Sequence, residues 1–142
     1  MIRPYRDSDF EDVKFLNEIS YTRPCSESTL KSMLRNPSWV AVIDGQVIGA
    51  VICCPEIDPR GLQPDRDLLW SVTVARSQQN KGWGAALIRE ACKHFQELWL
   101  YTETGSNARR LYSREGFLIE KVLENHYGPG QHAYLMRKSC IL

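Results

Sequence analysis

Apolar residues along this chain recur at two spacings, one suited to helices and one to strands. Met1 to Tyr5 reads as a short first strand. Phe10, Val13, Leu16 and Ile19 then fall on one face of a helix. Ser8-Asp9-Phe10-Glu11 has the spacing of a capping box, in which the Ser8 hydroxyl accepts from the Glu11 amide and Glu11 reaches back. Pro24 ends that helix. Ser26 caps a second, shorter one through Leu34, with Leu30, Met33 and Leu34 apolar, and it stops before Pro37. Residues 39–43 and 46–54 are β-rich runs joined by Asp44-Gly45, a dipeptide that supplies the backbone of a tight hairpin turn. Residues 55–66 hold three prolines and a glycine and read as a surface loop.

The second half predicts a central strand over residues 67–74. A helix over 82–96 follows, with Ala85, Leu87, Ile88, Ala91, Cys92 and Phe95 on its buried side. Residues 98–102 form a further strand, and 107–114 a short helix stopped by Gly116 as a C-cap. The last two strands cover 117–124 and 132–136, around a loop carrying Gly128-Pro129-Gly130. The order β-α-α-β-β-β-α-β-α-β-β predicts mixed α/β layers with helices on both faces of a sheet. At 142 residues the chain has the length of a single domain, spanning residues 1–142.

Composition narrows the function classes. The net charge is +1, and no dense Lys/Arg run gives an electrostatic footprint for nucleic acid. No apolar stretch reaches membrane-spanning length, and the first residues lack the apolar centre of a signal peptide. Cys25, Cys53, Cys54, Cys92 and Cys140 are odd in number and irregular in spacing. That pattern predicts reduced thiols in a cytoplasmic protein, with Cys53 and Cys92 as packing residues. Cys-x-x-Cys is absent, so no metal is expected.

The most informative stretch is Val72-Thr73-Val74-Ala75-Arg76-Ser77-Gln78-Gln79-Asn80-Lys81-Gly82-Trp83-Gly84, which runs straight into a helix at Ala85. The first turn of a helix carries amides with no intrahelical acceptor, and the macrodipole adds partial positive charge there. Such a turn binds a diphosphate without metal or dedicated lysine, and glycines at 82 and 84 let a ligand reach the backbone. A Rossmann turn would need a third glycine where Leu87 stands, and a P-loop would end in Gly-Lys-Ser/Thr. The remaining pattern, Gln79-x-x-Gly82-x-Gly84 after a strand, resembles the acyl-CoA pyrophosphate motif of the GNAT superfamily of N-acyltransferases. Asn107…Leu111-Tyr112 followed by Gly116-Phe117 resembles the second motif of that superfamily. Arg76 stands where the family usually has proline. Asn107 lies closer to Tyr112 than is usual, which bears on its customary contact to the cofactor.

The resemblance implies a sheet of about seven strands, splayed centrally and flanked by about four helices. It also implies acetyl-CoA as cosubstrate and a small-molecule or peptide amine as acceptor, in a monomer or homodimer. Val72, Thr73 and Val74 would offer backbone groups to the pantetheine arm. Gln79, Asn80, Lys81, Gly82, Trp83, Gly84 and Ala85 would surround the diphosphate, with Asn107 and Tyr112 also at the cofactor. Tyr112 would protonate the leaving thiolate, since a phenol is a competent donor. The amine must also lose a proton before it attacks. Asp67, near where many members carry a glutamate, is the first candidate to take it. Glu103, His126, Tyr127 and a water chain are the others. Tyr21, Glu27, Glu103, His126 and Tyr127 fall in segments that line the family's acceptor groove. A non-catalytic acetyl-CoA-binding module acting through a protein partner is the alternative reading.

Overall fold

The computed structural model describes residues 1–141. Seven strands and four α-helices follow in chain order: β1 (Ile2–Pro4), α1 (Phe10–Ser20), α2 (Glu27–Met33), β2 (Ser38–Ile43), β3 (Gln46–Glu56), β4 (Arg66–Val74), α3 (Trp83–Cys92), β5 (Glu97–Glu103), α4 (Ala108–Arg114), β6 (Leu118–Gly128) and β7 (Gln131–Ser139). The strands form one mixed sheet in the order β1-β2-β3-β4-β5-β7-β6. The β4–β5 pairing is parallel, through Leu68 and Trp99, whereas β1–β2, β2–β3, β5–β7 and β6–β7 are antiparallel. The chain divides into two compact units. The first comprises Met1–Cys54 and Leu69–Ala91, and the second Pro55–Leu68 and Cys92–Leu142.

In the first unit, Val13 and Leu16 of α1 and Leu30 of α2 cluster with Leu34, Val40, Val47, Ala50 and Ile52. These are the positions that the helical and alternating patterns marked as apolar. Ile19 is the exception. It lies 40% exposed. Ser26 caps α2 as expected, its Oγ accepting from the Thr29 amide at 3.2 Å. At α1 the polar anchor is Asp9 rather than Ser8. A 3-10 turn over Asp7–Asp9 precedes the helix, and Asp9 is 5% exposed. Its carboxylate accepts two hydrogen bonds from Arg3, at 2.8 and 2.9 Å, and one from the Arg6 amide at 2.9 Å. An ionised carboxylate accepts more bonds, and stronger ones, than a hydroxyl. Asp44 and Gly45, both at positive φ, make the β2–β3 turn.

In the second unit, Leu98 and Leu100 of β5 are buried with Phe117 and with Ala133, Leu135 and Met136 of β7. Several boundaries differ from the sequence reading. β3 continues through Pro55 to Glu56, and β4 begins at Arg66, so the proline-rich loop is shorter. α3 ends at Cys92 instead of 96. β6 and β7 run to a two-residue connection, Pro129-Gly130, so the final hairpin is longer. No helix among the described residues is long and apolar enough to cross a membrane.

Candidate active site

The first unit carries the turn that the sequence marked as a candidate phosphate site. β4 leaves the sheet at Val74, and the Ala75 amide donates to the Ile48 carbonyl at 2.7 Å. A 3-10 turn over Arg76–Gln78 follows. Asn80 and Gly82 then take positive φ of 61° and 90°. Asparagine and glycine are the residues that adopt this conformation at least cost. The first i→i−4 bond of α3 runs from the Ala86 amide to the Gly82 carbonyl at 3.0 Å. The Trp83, Gly84 and Ala85 amides lie ahead of it, in the turn that has no intrahelical acceptors. Nothing stands within 4 Å of where a Gly82 Cβ would project. The space beside Gly82 is open, and it adjoins the N-terminus of a ten-residue helix, the kind of place where backbone amides can meet an anion.

Gln79 closes this turn from within. Its side-chain amide donates to the Val74 carbonyl at 3.1 Å. The glutamine of the motif therefore ties the turn back onto β4, and the Val74 carbonyl already has a donor. Val72 and Val74 are half-buried and Thr73 is buried, while Asn80 and Lys81 are exposed. Tyr21, after α1, reaches the same strand: its hydroxyl lies 2.7 Å from Ser71 Oγ. Burial pushes the Tyr21 phenol up, with the Ser71 hydrogen bond opposing. The residue as a whole still exposes 39% of its surface. Glu27, the first residue of α2, is exposed and lies 3.8 Å from Lys14.

The second unit carries the remaining candidates. Tyr112 is half-buried on α4 with its ring edge-on to Phe117, the centroids 5.9 Å apart. The Phe117 amide donates back to the Tyr112 carbonyl at 3.0 Å. The turn through Gly116, at φ 95°, thus folds the Gly-Phe pair onto the tyrosine. Gly116 is the helix stop that the sequence predicted, one residue past the C-cap Glu115. Asn107 is the exposed N-cap residue of α4, and its side chain makes no cap hydrogen bond. Asp67 and Glu103 are exposed, on β4 and β5.

His126 and Tyr127 are brought together with a residue that the sequence did not single out. The His126 ring stacks on Tyr101 of β5, with centroids 4.9 Å apart and planes 11° apart. Tyr127 meets His126 edge-on at 4.7 Å. The Tyr101 hydroxyl donates to both carboxylate oxygens of Glu56, each at 2.8 Å. Arg66 lies 3.7 Å from Glu56 and covers the face of Trp99 at 4.3 Å. Burial, together with the Glu56 hydrogen bond and charge, pushes the Tyr101 phenol up to about 12, with Arg66 opposing. The alternation of β5, with Leu98, Leu100 and Thr102 buried, could have flagged Tyr101 as the odd face of a strand. Nothing local points to Glu56, which lies 45 residues away.

Residues 5–117 match the Acetyltransferase (GNAT) family, over most of the chain. An N-alpha-acetyltransferase of Sulfurisphaera tokodaii is 31% identical over 110 residues, covering 69% of this chain and 66% of that protein, just under two thirds of its length. A [Ribosomal protein bS18]-alanine N-acetyltransferase of Haemophilus influenzae is 26% identical over 145 residues, covering 94% and 93% of the two chains. Among solved structures, Arabidopsis thaliana NAA60 in complex with acetyl-CoA shares the fold at a TM-score of 0.81 and 21% identity, over 98% of each chain. With both motifs in order and the family matched over residues 5–117, the chain belongs to the GNAT family of acetyltransferases.

Proposed function

We propose that this chain is an N-acetyltransferase that moves the acetyl group of acetyl-CoA onto a primary amine by direct attack in a ternary complex. The observation that supports this most is the turn at Asn80 and Gly82, which leads into the first turn of α3, where amides have no intrahelical acceptor. In this reading the Trp83, Gly84 and Ala85 amides hold the diphosphate, and Asn80 and Lys81 flank it. Backbone groups of Val72 and Thr73 hold the pantetheine arm. The donor supplies an activated acetyl carbonyl. An amide near Val72 stabilises the oxygen as negative charge develops. Tyr112 donates a proton to the departing sulfur, and the Phe117 contact fixes the ring that carries its hydroxyl.

The acceptor we propose is the α-amino group of a peptide or protein. The curated relatives act on such amines, an N-alpha group and a ribosomal-protein alanine. Tyr21, Glu27, His126 and Tyr127 are the residues proposed to contact it. Five free cysteines suit a reducing, intracellular setting. Thiol release from acetyl-CoA, followed over N-terminal peptides, lysine peptides, polyamines and aminoglycosides, tests the activity. N-terminal peptides are expected to turn over fastest. Tyr112→Phe should lower kcat by roughly 10²-fold while leaving acetyl-CoA binding intact. Full activity of Tyr112→Phe over a broad pH range would remove Tyr112 from the acid role. Tight acetyl-CoA binding with no acetylated product from any amine would favour a regulatory acetyl-CoA-binding module.

A further inference from the structure

Asp67 and Glu103 are exposed carboxylates, whereas Glu56 is held in place on two sides. Tyr101 donates to both of its oxygens, and the Arg66 guanidinium, stacked on Trp99, sits 3.7 Å away. One flank of Tyr101 is covered by His126, and His126 in turn by Tyr127. This aromatic wall is itself fixed. The Asn125 amide donates to His132 Nδ1 at 3.0 Å, and the Gly130 amide donates to Asn125 Oδ1 at 2.8 Å. Asn125 stands at φ 56°, which turns the chain at the start of the His126–Tyr127 pair. All of these residues belong to the second unit.

We infer that Glu56 and Tyr101 form a relay that takes the proton from the acceptor's ammonium, with His126 and Tyr127 as the wall against which that acceptor is seated. The inference rests on the acetyltransferase reading above. A phenol oxygen has two lone pairs and one proton. Its proton is already directed at Glu56. Arg66 faces the oxygen on one side, and a lone pair remains for an incoming N–H. An ammonium proton passes to Tyr101 Oη while the Tyr101 proton passes to a Glu56 oxygen. The amine leaves this step neutral, with a lone pair on nitrogen. Tyr101 is unchanged, Glu56 is a carboxylic acid, and it then returns the proton to solvent. The elevated phenol keeps its proton at neutral pH, which a relay requires. An α-amino group, with an ordinary pKa near ~8, gives up its proton more readily to such a relay than a lysine near ~10.4.

The test compares Glu56→Gln and Tyr101→Phe with the wild-type chain on two acceptors at neutral pH. One is a peptide with an ordinary α-amine. The other is a weakly basic primary amine that is already uncharged. Both variants should lose roughly 10²-fold or more in kcat with the peptide, the range for a lost general base. With the uncharged amine they should lose less than about tenfold, because the proton no longer has to leave before attack. Tyr101→Phe keeps the ring on His126, so it remains a test if Glu56→Gln folds poorly. Equal losses on both amines, or no loss on either, in a variant whose melting still responds to acetyl-CoA, would overturn the relay alone. A wild-type chain that binds acetyl-CoA and acetylates neither amine would overturn the acetyltransferase reading, and the relay with it.

Discussion

Asp9 shows how one buried charge fixes the start of a helix. Its carboxylate is 5% exposed and has three donors: two from Arg3 and the Arg6 amide. The Arg3 hydrogen bond, with the Arg6 amide and the nearby positive charges, outweighs burial and holds Asp9 below the usual carboxylate range. A depressed carboxylate contributes stability that is present above the unfolded value, near ~3.9, and is lost as the pH falls through the folded value. Asp9→Asn should therefore cost about 2–3 kcal/mol at neutral pH, because Arg3, half-buried, loses its counter-charge. The deficit should begin to shrink below about pH 4, where Asp9 takes up a proton in the unfolded chain, and go on shrinking as the pH falls through its depressed folded value. Urea unfolding at pH 7 and pH 3 measures both. An equal deficit at the two pH values would assign the loss to packing. The sequence marked Ser8 for this role because the Ser-x-x-Glu spacing is a local signal. Arg3 lies six residues from Asp9 and meets it only through the path of the chain after β1.

At the scale of elements, β3 shows how tightly the first unit is built. A Cβ on Gly49 would stand 3.1 Å from the Thr73 carbonyl and 3.1 Å from Leu87 Cδ1. Leu87 can rotate away, but the β4 carbonyl cannot move without shifting the strand that leads into the turn. Gly49→Ala should cost about 1–3 kcal/mol, read as a lower urea midpoint at unchanged slope. A neutral or stabilising result would mean that β4 has slack at Thr73. Local signals predicted most elements correctly here. Asp44-Gly45 announced the β2–β3 hairpin, and Gly116 the end of α4. Pro55 misled the reading at the end of β3, because a proline in a run suggests a break, yet strand ends and edges accept it. The final hairpin was misread for the same reason. Gly128-Pro129-Gly130 looked like a loop, but only two of those residues lie outside the strands. The candidate site divided in the same way. The Gln79–Gly84 turn and the Leu111–Phe117 segment are contiguous and could be read directly. The Glu56–Tyr101 contact depends on strands far apart in sequence, and no spacing rule encodes it.

At the scale of the whole molecule, the chain passes from one compact unit to the other after residues 54, 68 and 91, so β4 contributes residues to both. The family match, over residues 5–117, likewise runs through both. Because β4 is divided between the two units, residues 1–142 should melt as one domain in a single transition. A ligand that binds only the folded chain raises that transition by RT ln(1 + [L]/Kd), about 2.7 kcal/mol at a hundredfold excess over Kd. For a chain of this size that corresponds to roughly 8 °C. Acetyl-CoA should therefore shift the midpoint by about that amount, and inorganic diphosphate by less. Gly82→Ala should blunt the acetyl-CoA shift. Its methyl group meets open space in the protein, so any loss comes from the left-handed backbone at 90° and from the ligand's side of the turn. The two effects separate in one experiment. Strain lowers the melting point of the free chain, whereas a lost ligand contact lowers only the increment that acetyl-CoA adds. Two resolved transitions would refute the single domain, and an acetyl-CoA increment near zero in the wild-type chain would refute the phosphate turn.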